Sequence, residues 1–482
     1  MVQGKIPQAI PLSAIKNNSR PLSTVVCYEG IYSDAVYKPW GDFLDGTARL
    51  RRHIETTAGE RWLLYCEDCW DFLLAFMVLL QCKKEILLCP IISPGFIANI
   101  RGAPPTKPVA PLLTDQVFSQ EETPENTFHI PTLLQEAVPQ TMEEAPQINA
   151  DETSIILLTS GSTGKPKMVR HRLTEFEYDN RIMLSTWGEE FLKRKFCSTV
   201  SQQHVYGLLA AVLGPFHGGV PFRKKIIEFP EELEKFSDTE YVIVTVPAFL
   251  KRTVEIEKAG DLKLKSPWIM ASGGFLSPEI AKKTSEVFGF WPVELYGSTE
   301  TSAVAWMQSK NGPQWKPLEN VRLSRNQDGC LVIRSPFVRD PEGFETADLV
   351  EILEDGRFIL KGRIDSVVKI EEKRVSLTEV EGRILQSGLV SDACVISLED
   401  KRQYLAAAVV FNNEGKKRFE GREKAEINKF WREYLLRFFE NIVIPKRWRY
   451  PQTLPIDAQG KKKKEDIKLL FAGEEGMEHD RF

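Results

Sequence analysis

The segment LLTSGSTGKPK, Leu157 to Lys167, runs from an apolar stretch into Gly, Ser and Thr and ends in lysines. Glycine lets backbone N–H groups approach an anion, hydroxyls add donors, and lysines supply positive charge, so these residues in this order describe a cradle for a polyphosphate. Its candidate contacts are Thr159, Ser160, Gly161, Ser162, Thr163, Gly164, Lys165 and Lys167. It is not the familiar P-loop, because only two residues separate Gly161 from Gly164 and Pro166, not Ser or Thr, follows Lys165. Alone, such a loop is as often a solvated turn as a site, so its meaning depends on the rest of the chain. VELYGSTE, Val293 to Glu300, repeats the passage from apolar strand to glycine turn.

The elements that must hold these turns alternate in type. From Glu152 onward SIILLTS reads as a strand, LTEFEYDNRIMLSTW as a helix, KFCSTV as a strand, VYGLLAAVLGPFHGG as an apolar helix and YVIVTVP as a fully buried strand. SPWIMASGG follows as a strand, then a helix with Ser277 as N-cap and Pro278 at its first position. Alternation of this kind predicts an α/β fold. Upstream, WLLYC, WDFLLAFMVLLQC and EILLCP read as a βαβ unit, and the Pro- and Glu-rich stretch from Gly102 to Ala150 as a surface connector. Beyond Gly312 short strands such as CLVIRSP and DLVEILEDGRFIL predict a β-rich subdomain, closed by a small α+β domain.

A chain of 482 residues with 42% apolar content has ample material for a core. Its net charge of -4, with both signs interspersed, gives no reason to expect nucleic acid or an anionic membrane as the main partner. The start of the chain lacks a signal-peptide pattern and the longest apolar run, Phe72 to Leu80, is too short to span a bilayer, so no membrane span and a cytoplasmic location are expected. Cys66 and Cys69 have zinc-like spacing, yet no second such pair or His completes a knuckle, and all of Cys66, Cys69, Cys82 and Cys89 fall at element ends; they are read as structural.

Four segments taken together, LLTSGSTGKPK, ELYGSTE, TADL at Thr346 with GRIDSVVKIEEKRVSLTEVE at Gly362, and LPIDAQGK at Leu454, resemble the adenylate-forming superfamily of acyl-CoA synthetases, aryl-CoA ligases, peptide-synthetase adenylation domains and luciferases. The resemblance implies a large amino-terminal domain over 1–364 that binds ATP and the acid. It implies a small mobile domain over 365–482 that carries the hinge at Asp365, the thiolation loop and the catalytic lysine. It also implies activation of a carboxylic acid by ATP and Mg2+ to an acyl-adenylate, then transfer to CoA or to the phosphopantetheine of a carrier protein. On this resemblance the cradle embraces the β- and γ-phosphates, Glu300 with Thr159 holds the metal, Thr299 reaches the α-phosphate and Tyr296 stacks on adenine within the Gly297–Ser298 turn. Gly273 and Gly274 lie against adenine, Asp348 takes the ribose hydroxyls, Arg363 contacts ribose or phosphate, and His204 lines the acid pocket. Lys461 is the lysine delivered between ATP and the carboxylate.

Two departures bear on function. Ala347 stands in TADL where TGD is usual, and Glu372 in Lys369–Arg374 stands where the thiolation loop of relatives has glycine. Glu adds bulk and negative charge beside the path of the thiol arm, so adenylation is expected to survive and thiolation to change. No phenylalanine–aspartate pair flanks His204, which points to an aryl or fatty acid rather than an amino acid. The competing readings are an enzyme that stops at the acyl-adenylate and a silent nucleotide- or acyl-binding scaffold. A scaffold has no need of a lysine delivered by a mobile domain.

Overall fold

The structure, a computed structural model, describes residues 9–30, 35–101, 110–119, 123–136, 144–159, 167–236, 239–256, 259–262, 264–370, 373–400, 402–455, 462 and 464–472. Contacts divide it into two compact units, Met1–Arg322 with Arg334–Phe344, and Leu323–Ile333 with Glu345–Phe482. The β-rich stretch that the sequence assigned to the large domain is thus split, with most of it grouped in the closing unit.

The first unit holds two sheets. A six-stranded sheet runs Thr127–His129, Leu112–Thr114, Arg61–Tyr65, Glu85–Leu88, Ile155–Thr159 and Lys167–His171, parallel except for the last pair. The βαβ unit is present as expected: helix Cys69–Gln81 links two parallel strands, is capped by the Asp68 carboxylate, and is buried at every position but Asp71. Gly102 to Ala150 is not the surface connector expected of it. Leu112 and Leu113 are fully buried in a strand and residues 127–129 extend the sheet, because even a three-residue apolar patch pairs when a sheet edge is open beside it.

The nine-stranded sheet places Ser302–Met307, Val293–Ser298, Trp268–Ala271, Tyr241–Thr245 and Lys195–Ser198 side by side, the last four parallel. All five residues of Tyr241–Thr245 are buried, as a strand covered on both faces requires. One apolar core joins side chains of both sheets, including Trp62, Ile86, Phe196 and Val242, with helices Cys69–Gln81 and Leu173–Phe191. The helix after His204 widens to a π-helical stretch over Leu208–Leu213. Ser277 caps the helix Pro278–Phe288, accepting from the Ile280 N–H at 3.2 Å.

The second unit contains a four-stranded sheet ending in Phe344–Ile352 and Phe358–Arg363, a hairpin Val367–Ile370 with Lys373–Ser376, and a three-stranded sheet of Val390–Glu399, Gln403–Phe411 and Arg447–Arg449. Helices Leu377–Leu385 and Lys424–Leu435 cover the latter, with Trp431 fully buried between them and the strands. Among the described residues no helix is long and apolar enough to cross a membrane.

Candidate functional site

Thr159 ends one strand, Lys167 opens the next, and the two are paired in register. The seven residues between them, Ser160 to Pro166, lie outside the described residues. The strands on either side of that segment are thus joined in one antiparallel pair. The Lys167 ammonium reaches the Glu300 carboxylate at 2.6 Å, joining two motifs 133 residues apart.

Glu300 sits in the short loop of a second hairpin, Val293–Ser298 with Ser302–Met307, in which Ser298 pairs with Ser302. Thr299, Glu300 and Thr301 form the loop, closed by the Thr301 N–H to the Ser298 carbonyl at 3.3 Å and by the Ser298 N–H to Thr301 Oγ1 at 3.1 Å. The register slips between Tyr296 and Gly297, and there the backbone folds so tightly that a Cβ on Gly297 would meet the Ser302 carbonyl oxygen at 1.9 Å. Burial alone would raise the Glu300 carboxyl, but hydrogen bonds from Lys167, its own backbone N–H and Ser298 outweigh it and hold it below the usual range. Glu300 is thus an ionised acid already facing one cation. A carboxylate is the kind of oxygen ligand a divalent metal takes, though here it is paired with the Lys167 ammonium, which a metal would have to displace. Thr159 is placed by its strand alone, so its part in metal binding is carried no further by the structure.

Four neighbouring parallel strands end at one edge, and the loops leaving that edge carry the remaining candidates of this unit, as open α/β sheets dictate. Gly273, at φ 87°, and Gly274 follow Trp268–Ala271, with Ser272 Oγ donating to the Leu295 carbonyl at 3.0 Å beside Tyr296. Phe275 next to them is 79% exposed. Half-buried His204 precedes the helix after Lys195–Ser198, while its neighbours Gln202 and Gln203 both donate to the Cys66 carbonyl. Those bonds fix the start of the loop against the other sheet, and the burial of Cys66 and Cys69 pushes both thiols well above the usual range, so neither is a ready thiolate. Among the described residues no cluster of His, Cys, Asp or Glu suits a metal ion. Trp315, which sequence reasoning passed over, lies with its ring 5.6 Å from that of Tyr296. A tryptophan in an otherwise polar loop was the signal available.

On the same strand, burial pushes the Glu294 carboxyl up to about 7, against hydrogen bonds from Ser309. The native state therefore keeps this proton up to about pH 7, whereas the unfolded chain loses it near the ordinary value of 4.5, so Glu294 makes stability fall as pH rises through that window. Glu294→Gln, which keeps an acceptor for Ser309, is expected to raise stability above pH 7 by on the order of 1–3 kcal/mol and to lose that advantage near pH 4.5. Calorimetric melting across pH 4.5–8.5 checks it.

In the second unit Asp348 and Arg363 are cross-strand partners, with the guanidinium 3.3 Å from the carboxylate. The Asp348 N–H donates to Thr346 Oγ1 at 3.0 Å, so the hydroxyl of TADL holds the acid's backbone and Ala347 causes no break in the strand. Lys461 and Glu372 lie outside the described residues. Lys462 is described: its ammonium lies 2.8 Å from Asp392 and donates to the Ala393 carbonyl at 2.5 Å. Burial would lower it, but Asp392 and Glu381 outweigh that and keep it firmly charged.

A family model described as "AMP-binding enzyme" matches residues 97–330. A probable CoA ligase, CCL8, of Humulus lupulus is 25% identical over 69% of this chain and 63% of its own length. The malonate–CoA ligase of Arabidopsis thaliana is 25% identical over 67% of this chain and 62% of its own. The chain thus spans somewhat under two thirds of these relatives' length. Among solved structures, ATP-bound MatB from Rhodopseudomonas palustris superposes with a TM-score of 0.75 at 16% identity, covering 94% of this chain and 97% of that one. The O-succinylbenzoate CoA synthetase of Bacillus subtilis, in complex with AMP, gives 0.75 at 17% identity, covering 94% and 97%. At that identity the likeness shows the fold, and it extends through both units.

Proposed function

We propose that the chain is an adenylate-forming AMP-binding enzyme that activates a carboxylic acid with ATP, releasing pyrophosphate, and passes the acyl group of the acyl-adenylate to a thiol. The observation that carries the reading is the Lys167–Glu300 contact, which brings the end of the cradle to the acid of the YGSTE turn. A carboxylate oxygen attacks the α-phosphorus, the bond to pyrophosphate breaks, and the thiol then displaces AMP at the acyl carbon. Both reactants of the first step are anionic, so fixed positive charge and donors must be present before they meet.

On this reading each candidate residue has a part. The cradle between Thr159 and Lys167 holds the β- and γ-phosphates, and Thr299 reaches the α-phosphate. Tyr296, buttressed by Trp315, presents a ring to adenine, with Gly273 and Gly274 leaving room for the base. Asp348, oriented by Thr346 and Arg363, takes the ribose hydroxyls, and His204 lines the acid pocket. Glu300, with Thr159, is the group to hold Mg2+, which when bound neutralises phosphate charge. Asp365 is proposed as the hinge of a mobile closing domain that brings Lys461 to the reacting oxygens. Lys462 is already committed to Asp392, which supports its neighbour for that task. The names of relatives favour CoA as acceptor, a carrier-bound phosphopantetheine being the other thiol of the same chemistry. Eight cysteines outside any disulfide fit a reducing compartment such as the cytoplasm.

ATP–pyrophosphate exchange, run without thiol across aryl, short-chain and long-chain acids, tests the reading. Exchange with one class establishes the first half-reaction and identifies the acid, and none with any acid favours a silent scaffold.

A second reading ends at the acyl-adenylate, and Glu372 is what favours it. Glu372→Gly is expected to leave pyrophosphate exchange unchanged and to raise the rate of thioester formation with free CoA by about tenfold, the order of effect expected when one unfavourable charge is removed from a binding path. Single-turnover transfer from preformed acyl-adenylate measures it, and a change in exchange with no change in transfer would overturn the assignment of the loop.

A further inference from the structure

The three-residue loop that carries Glu300 ends on Ser302, whose φ of 50° lies in the left-handed region. Hairpins with three-residue loops regularly need such a residue after the turn, and glycine usually supplies it. Here a serine does, and a side chain with a Cβ stays there only when its surroundings enforce it. The enforcing group is Asp179 on helix Leu173–Phe191, 123 residues away in sequence. Its Oδ1 accepts the Ser302 hydroxyl at 2.9 Å, and the carboxylate also accepts the Ala303 N–H. Asp179 and Ser302 are each 6% exposed. A buried acid held by neutral donors is costly to keep, and desolvation pushes this one up to about 7.

We propose that Asp179 is a positioning residue for nucleotide binding: through Ser302 it sets the Thr299–Glu300 turn so that Glu300 faces the cradle and its cation. The inference rests on the reading of Glu300 as the acid that holds Mg2+. Asp179 is buried and reaches the end of the turn at Ser302, while Lys167 meets Glu300 within it. Two hydrogen bonds from one rigid helix to consecutive residues, Ser302 and Ala303, leave the hairpin end little freedom to roll.

Calorimetric titration with ATP, in Mg2+ and again in EDTA, reads this directly without any acid substrate. For Asp179→Ala the expected result is a loss of ATP affinity of about tenfold in Mg2+ and less than threefold in EDTA, because what is lost is the aim of Glu300. Asp179→Asn keeps a carbonyl acceptor for Ser302 and should stay within about threefold of the wild type. Adding Ser302→Gly to Asp179→Ala should recover part of the loss, since glycine takes the left-handed conformation unaided. Unchanged affinity in Asp179→Ala overturns the proposal, as does an equal loss in Mg2+ and EDTA. If Asp179→Ala does not fold, Ser302→Ala, which removes one hydrogen bond, must show the same Mg2+-selective loss, and wild-type affinity there overturns it too. A wild type that binds no ATP under either condition instead removes the adenylating reading, so the two failures are distinct.

Discussion

Lys461→Ala is expected to slow ATP–pyrophosphate exchange by at least about a thousandfold while leaving ATP affinity within about threefold. The asymmetry follows from when its charge is needed. On the proposed reading, ATP is held in the ground state by the cradle, and a lysine brought in from elsewhere adds little. In the transition state negative charge builds between the carboxylate and the α-phosphate, and a point charge delivered there stabilises that state alone. Neighbouring Lys462 cannot take over, since its ammonium is bound to Asp392 and the Ala393 carbonyl and kept charged there. Exchange rates and calorimetric ATP affinity, measured on the same preparation, decide the matter. Equal loss in both would mean that Lys461 is a binding residue.

Gly297→Ala should be the most damaging single-methyl change in the site. The added Cβ would lie 1.9 Å from the Ser302 carbonyl oxygen and 2.7 Å from its carbon, atoms of a paired backbone that cannot swing aside as a flexible side chain can. Relief requires the hairpin to open where its register already slips, and opening it displaces Glu300 from Lys167. Overpacking of this kind costs on the order of 3 kcal/mol, and displacing Glu300 from the metal role proposed for it about a hundredfold in exchange rate. Gly188→Ala is the matching control: it lies within helix Leu173–Phe191 with nothing within 4 Å of the added carbon, and should stabilise by up to about 1 kcal/mol. Thermal melts of both variants, with exchange assays on Gly297→Ala, test the pair. Wild-type melting of Gly297→Ala would show that the hairpin is looser than its geometry implies.

The elements that position the site were legible because they are long and periodic. Buried strands such as Tyr241–Thr245 and the apolar helix Cys69–Gln81 announce themselves by composition. Leu112–Thr114 and Thr127–His129 did not, since a three-residue strand has no period and its neighbours are rich in proline and acid. The motifs were legible as motifs, but the contact between Lys167 and Glu300 spans 133 residues and only their joint resemblance to a family linked them. Asp179 was hidden for a different reason. A single acid on an amphipathic helix reads as part of the solvated face, and only the fold turns it inward toward Ser302. Lys462 was likewise indistinguishable from its fellows in a run of four lysines until Asp392 was seen beside it.

The described loops that carry candidate nucleotide or acid contacts in the first unit leave one rim of the nine-stranded sheet, while strands beneath them such as Tyr241–Thr245 are buried throughout. This separates two kinds of mutational risk. Changes at exposed Gly274 and Phe275 or half-buried His204 are expected to disturb folding little, whereas changes at buried Gln202, Gln203 and Leu276, or at Phe196, Val242 and Met270 in the strands, threaten folding first. On the proposed reading, a library meant to redirect the chain to a new acid is best confined to the positions of these loops that lie outside the core.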